Sequence, residues 1–120
     1  MDRKTLIRDY KERQHPMGVY QLRNTVSGRA LVGSSVNLPA IFNRHRAELR
    51  LGAHTNRALQ QDWNELGEAA FEFHILDTLD APDRSDYDPA EDLRVLEQLW
   101  LDKLSPFEGR GYNAPPKRLV

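Results

Sequence analysis

Met17-Gly18-Val19-Tyr20-Gln21-Leu22-Arg23 and, five residues later, Arg29-Ala30-Leu31-Val32 running into Gly33 read as the two strands of a β-hairpin. The linker between them, Asn24-Thr25-Val26-Ser27-Gly28, has the length and the late glycine of a hairpin loop. The hairpin fixes the start of a sheet, and the rest of the chain can be placed around it.

Downstream, Leu38, Ile41, Phe42, His45 and Leu49 recur at helical spacing, with Asn37 as a cap and Gly52 as a stop. A second helix is expected from about Thr55 to Leu66, with Leu59, Trp63 and Leu66 on one side and Gly67 beyond its end. Phe71-Glu72-Phe73-His74-Ile75-Leu76-Asp77 is the third strand. Asp80 to Pro89 is acidic, holds two prolines and lacks apolar periodicity, so it reads as a surface loop. Asp88, Pro89 and Glu91 then supply a cap, a first-position proline and a capping-box glutamate for a helix reaching about Leu104.

Upstream, residues 3 to 14 suggest a short helix stopped near His15-Pro16. The stretch holding Gly109, Gly111, Pro115 and Pro116 has no period and is expected to wrap the surface or fray. The reading is therefore a helical extension over 1–15, one domain over 16–113 and a tail over 114–120. Its fold class is α/β in the α+β sense: a small, mostly antiparallel three-stranded sheet packed against helices.

One domain is what 120 residues support, and an apolar share of 39% with 29% charged residues is that of a folding chain. No run approaches a membrane span or a signal peptide, so the expected location is cytoplasmic. Without cysteine, any metal must sit on carboxylate, imidazole or carbonyl ligands. The net charge of −1 hides a separation: residues 1 to 57 carry +7 and residues 72 to 102 carry −8. That asymmetry fits a basic face for a polyanion, and equally a solvated mixture of charges.

The closing helix breaks its own pattern. At about 100° per residue from Leu93, Glu97 falls at about 40°, among Leu96, Trp100 and Leu104. An inward carboxylate needs a cation, a metal or hydrogen-bond donors, or must stay protonated; a salt bridge at the core's rim would satisfy it as well. His45 repeats the anomaly between Ile41 and Leu49, either as a hydrogen-bonded core residue or as a proton carrier. Tyr20 by position alone is a core residue of its strand.

Gly18-Val19-Tyr20, Leu31-Val32-Gly33, His45, Leu59-Gln60 with Trp63 and Gly67, Phe71-Glu72-Phe73, Leu96-Glu97-Gln98 and Gly111-Tyr112-Asn113 occur in an order and spacing that resembles the GIY-YIG nucleases over roughly residues 16 to 113. The resemblance implies hydrolysis of a nucleic-acid phosphodiester, with DNA as the expected partner, using one Mg²⁺ or Mn²⁺. It implies that Tyr20 helps activate the attacking water, that Glu97 holds the metal, and that His45 and Asn113 belong to the site.

Two positions depart from the family pattern. The second signature's tyrosine is Leu31, and the arginine expected eight residues after Gly33 is Ile41. Loss of such a guanidinium implies a deficit of about 10³-fold unless another cation replaces it. Arg44, one helical turn on, is the candidate replacement. Arg44, Arg46, Arg50 and Arg57, with His54, are expected to touch backbone phosphates, or else simply to be solvated. Two readings stay open: an impaired metal-dependent nuclease, and a catalytically silent module that binds nucleic acid or protein on the same fold. A helix-turn-helix reading of residues 38 to 66 is disfavoured by Asp62, Glu65 and the core character of Trp63.

Overall fold

The computed structural model describes residues 15–82 and 86–115. The helix expected over 3–14 and the last residues of the tail lie outside them. The hairpin forms as β1 (Gly18–Asn24) and β2 (Ala30–Ser35), so β2 runs past Gly33. Asn24 builds the loop: its Oδ1 accepts from the amides of Val26 at 2.9 Å and Ser27 at 3.2 Å, and Gly28 takes a positive φ of 82°.

Helix α1 (Leu38–Arg50) starts as expected, with Asn37 Oδ1 accepting from the Ala40 amide. Helix α2 is Arg57–Leu66, two residues shorter at its start than its periodicity suggests, because Asn56 caps it through the Leu59 amide. Strand β3 (Phe71–Thr78) then pairs antiparallel with β1, giving the order β2-β1-β3 and an all-antiparallel sheet. Helix α3 (Ala90–Leu104) packs on β1 and β2. Its start departs from the expected capping box: Pro89 holds the cap position, and Asp88 Oδ1 accepts from the Ala90 amide instead.

Leu22, Leu49, Leu59, Trp63, Phe71 and Tyr112 form the core between sheet and helices. Leu66, expected on the inner side of α2, is 43% exposed. Tyr112 corrects the picture of an irregular tail. Its amide donates to Ala30 O at 2.9 Å, its ring is buried, and Gly111 bridges Ala30, so the segment closes the outer edge of β2.

Two irregularities of the β1–β3 pair lie next to Tyr20. A Cβ on Gly18 would lie 2.0 Å from Asp77 O, so only glycine lets β3 reach β1 there. Just beyond, the pairing slips between Val19 and Tyr20, leaving Leu76 as an extra residue of β3.

Candidate active site

Tyr20 lies opposite Gly33 across the β1–β2 pair. A Cβ at Gly33 would stand 2.6 Å from Tyr20 Oη and 2.8 Å from its Cζ, so the phenol lies over the space that a side chain would fill. Phe42 of α1 meets the ring edge-on at 5.6 Å. The phenol is thereby held in one place, buried on its sides, with its oxygen 2.8 Å from His45 Nε2.

His45 is not alone. Its Nδ1 lies 2.8 Å from His54 Nε2, with the two rings stacked at 5.0 Å, and His54 Nδ1 accepts from the Asn56 amide at 3.0 Å. By sequence His54 belongs with the phosphate-contacting surface; in the fold it is 8% exposed and faces inward. The loop after α1 carries it back under the helix, where the His54 amide donates to Gln60 Oε1 and Gln60 Nε2 donates to Leu49 O.

Burial dominates the titration of all three groups. It pushes Tyr20 up to about 12, helped by the negative charge of Glu97 and opposed by Arg44. His45 drops to about 4 through burial and through His54 and Arg44, against the pull of Glu48. His54 is lowered by burial too, with Glu48 opposing and Arg44 assisting. Near neutral pH the two imidazoles are uncharged, and each has one proton to place.

Glu97 enters from α3, half-buried as its place in the apolar stripe requires. Burial raises its pKa, and a hydrogen bond from the backbone of Ser34 on β2 lowers it. The negative charge of Glu97 bears on the Tyr20 phenol. Among the described residues no cation is ion-paired with Glu97. An inward carboxylate with one amide donor and no counter-charge suits a hydrated divalent cation, which needs few protein ligands.

Asn113 occupies a different post. Its Oδ1 accepts from Val32 N and its Nδ2 donates to Val32 O, both at 2.8 Å, so it pins β2 one residue before Gly33. Tyr20 and His45 therefore meet directly and the charge of Glu97 reaches the phenol, while Asn113 supports the neighbouring strand β2 from its edge.

Three of the four candidate phosphate-contacting arginines are engaged with protein partners. Arg44 Nε donates to Glu48 at 2.9 Å, although its charge still reaches Tyr20 and His45. Arg46 covers the Phe73 ring at 4.8 Å, and Arg50 grips Glu68 through two hydrogen bonds. Arg57 is exposed on the first turn of α2. Leu31 packs against the core cluster, and Ile41 is half-buried on α1.

A second group of metal-ligating atoms is present in His45, Glu48 and His54, all within 4.8 Å of one another. Its chemistry is unfavourable for a cation as it stands. The Asn56 amide points at His54 Nδ1, so the ring's proton is on Nε2, the atom that would have to coordinate. No signal in the sequence alone brings His54 to this place; the i, i+3 spacing of His45 and Glu48 is the one available hint.

No protein-family model matches the chain. Intron-associated endonuclease 1 of Enterobacteria phage T4 is 30% identical over 98 residues, covering 80% of the chain, and the chain spans 36% of that relative's length. Two solved structures share the fold with TM-scores of 0.67. One is the catalytic domain of the homing endonuclease I-TevI, at 28% identity over 83% of this chain and 99% of that one. The other is a point mutant of the catalytic domain of intron endonuclease I-TevI, at 26% identity over 82% and 92% respectively.

Proposed function

We propose, from the premise that the chain is a nuclease-like domain of the GIY-YIG type homologous to the catalytic domain of I-TevI, that it is an attenuated, divalent-metal-dependent nuclease acting on DNA. The observation that carries this reading is the partly buried Tyr20–His45 hydrogen bond at 2.8 Å together with an inward-facing Glu97 that no cation among the described residues pairs. Glu97 would hold Mg²⁺ or Mn²⁺, whose charge would stabilise the oxygen that leaves phosphorus.

The chain's own residues supply the remaining parts. Tyr20 presents its oxygen to the attacking water, and His45 orients that oxygen from behind. Gly33 keeps the phenol's place open, and the amide of Asn113 holds β2 in register beneath it. The attenuation follows from Leu31 and Ile41, which put hydrocarbon where the reaction needs a hydroxyl and a guanidinium. Arg44 reaches the site with its field only, since its guanidinium is bonded to Glu48.

That same Arg44–Glu48 bond favours the second reading, a silent DNA-binding module on this fold. Nicking of supercoiled plasmid separates the two. The nuclease reading expects slow Mg²⁺-dependent nicking that falls at least about 100-fold in Glu97→Gln and in Tyr20→Phe, with both variants folded. DNA binding without nicking in the unaltered protein leaves the silent module.

A further inference from the structure

We infer that His54 is a positioning residue that sets which way protons point along the chain Asn56–His54–His45–Tyr20, so that Tyr20 receives a hydrogen bond from His45 and keeps its own proton for the open side of the site. The inference rests on the nuclease reading for its purpose, but not for its geometry.

One donor at the end of this chain of hydrogen bonds cannot be reversed. A backbone N–H has only one proton to give and no lone pair to accept with, and that of Asn56 is 3.0 Å from His54 Nδ1. His54 Nδ1 is therefore the unprotonated nitrogen. A neutral imidazole then carries its proton on Nε2, which lies 2.8 Å from His45 Nδ1. His45 Nδ1 must accept, so the proton of His45 sits on Nε2, 2.8 Å from Tyr20 Oη. Each link has one consistent assignment, and all of it follows from one amide.

The starting point is also rigid. The Asn56 side chain caps α2 through the Leu59 amide and donates from Nδ2 to Tyr112 O at 2.7 Å, while the His54 amide is held by the buried Gln60. Turning the His54 ring over would leave the Asn56 amide without its acceptor.

The chemical consequence concerns Tyr20. Both nitrogens of His45 are occupied, Nδ1 by the His54 N–H and Nε2 by its own proton, so His45 cannot take the phenol's proton. The Tyr20 O–H leaves instead to solvent as pH rises, and the His45 N–H remains to stabilise the phenolate. The phenolate can then accept a proton from the attacking water and return to the phenol, with His45 and His54 neutral throughout. His45 acts as donor to the phenolate, and His54 keeps it one.

Long-range ¹H–¹⁵N correlation spectra of the protein without nucleic acid read the tautomers directly. At pH 7.5, about one unit above the ordinary histidine value, His45 and His54 are both expected with Nε2 protonated and Nδ1 bare. In His54→Leu the His45 signals should move toward a mixture of tautomers. The alkaline titration of Tyr20 should shift upward, and any Mg²⁺-dependent nicking should fall about 10- to 100-fold. His54→Gln, which restores an N–H donor of similar reach, should recover most of the tautomer preference and of the nicking.

An Nδ1-protonated His45 in the unaltered protein overturns the inference, as does an unchanged His45 tautomer in His54→Leu. If His54→Leu does not fold, the unaltered protein and His54→Gln still decide it. If the tautomers are as expected but the unaltered protein nicks nothing, the nuclease reading fails and the proton order stands as a property of the fold.

Discussion

Replacing Gly33 by alanine tests whether the phenol really takes its place from the missing side chain. The new Cβ would sit 2.6 Å from Tyr20 Oη, 2.8 Å from Cζ and 3.1 Å from Cε1, all well inside van der Waals contact. The ring cannot retreat easily, because Phe42 meets its edge at 5.6 Å and the side chain is 6% exposed. Overpacking of this kind costs about 1–3 kcal/mol, and breaking the partly buried bond to His45 adds about 1–3 kcal/mol. Removing a strand glycine returns about 0.5–1 kcal/mol of chain entropy. The net expectation is a loss of about 1–5.5 kcal/mol, centred near 3, a drop in Tm of about 4–22 °C for a domain of this size. Thermal and urea unfolding of Gly33→Ala, Tyr20→Phe and the double variant measure it. Since Tyr20→Phe removes the closest clashing atom, the double variant should lose less than the sum of the singles, by about 0.5 kcal/mol or more. A Gly33→Ala protein that melts within about 2 °C of the parent would falsify the claim that glycine makes room for Tyr20.

The same geometry carries three more expectations. Ile41→Arg should raise Mg²⁺-dependent nicking, more so with Leu31→Tyr and only while Glu97 is intact; because Ile41 is half-buried, the folded fraction at 25 °C should survive the charge, and melting on the same samples checks this. Changing Arg44, Arg46 and Arg50 to alanine should weaken duplex binding and flatten the log–log salt dependence by as much as about 3, at roughly 0.9 per phosphate contact; unchanged affinity would reject this helix as the DNA surface. The folded protein should lose stability as pH falls from about 6.5 toward 4: His45 has a folded value near 4, so the unfolded chain binds protons first and acid favours unfolding. In a pH series of melting curves, His45→Gln should remove part of that slope, and an unaltered slope would show that other groups carry it.

Much of the fold is legible in the sequence because it depends on faces. The hairpin, α1, β3 and the end of α3 follow from apolar spacing and from Asn37, Gly28 and Gly67, which act through their immediate neighbours. Glu97 and His45 are visible as polar groups on apolar faces; in the fold His45 bonds Tyr20 directly, and the charge of Glu97 bears on the same phenol. What the sequence hides depends on pairs far apart in the chain. Gly33 and Tyr20 are thirteen positions apart, yet only the strand register shows that one vacates space for the other. His54 looks like a surface cation until the loop turns it under α1, and Tyr112 like part of an irregular tail until its amide finds Ala30. The capping box at Asp88 fails by one residue because Pro89 and Ala90 settle the start of α3 differently.

Closure of the β2 edge by Tyr112 has a consequence in time. The phenol of Tyr112 accepts from Asn24 Nδ2 across 88 residues, and its backbone oxygen and amide meet Asn56 and Ala30. A ribosome delivers the hairpin first and its lock last, so during synthesis the buried amide of Asn24 lacks its partner and β2 has an open flank. The strand beneath Tyr20 is pinned only when Asn113 arrives at Val32. The segment that completes the sheet is thus also the one that pins the strand carrying Gly33, and a nascent chain holds neither contact until residue 113 has been made.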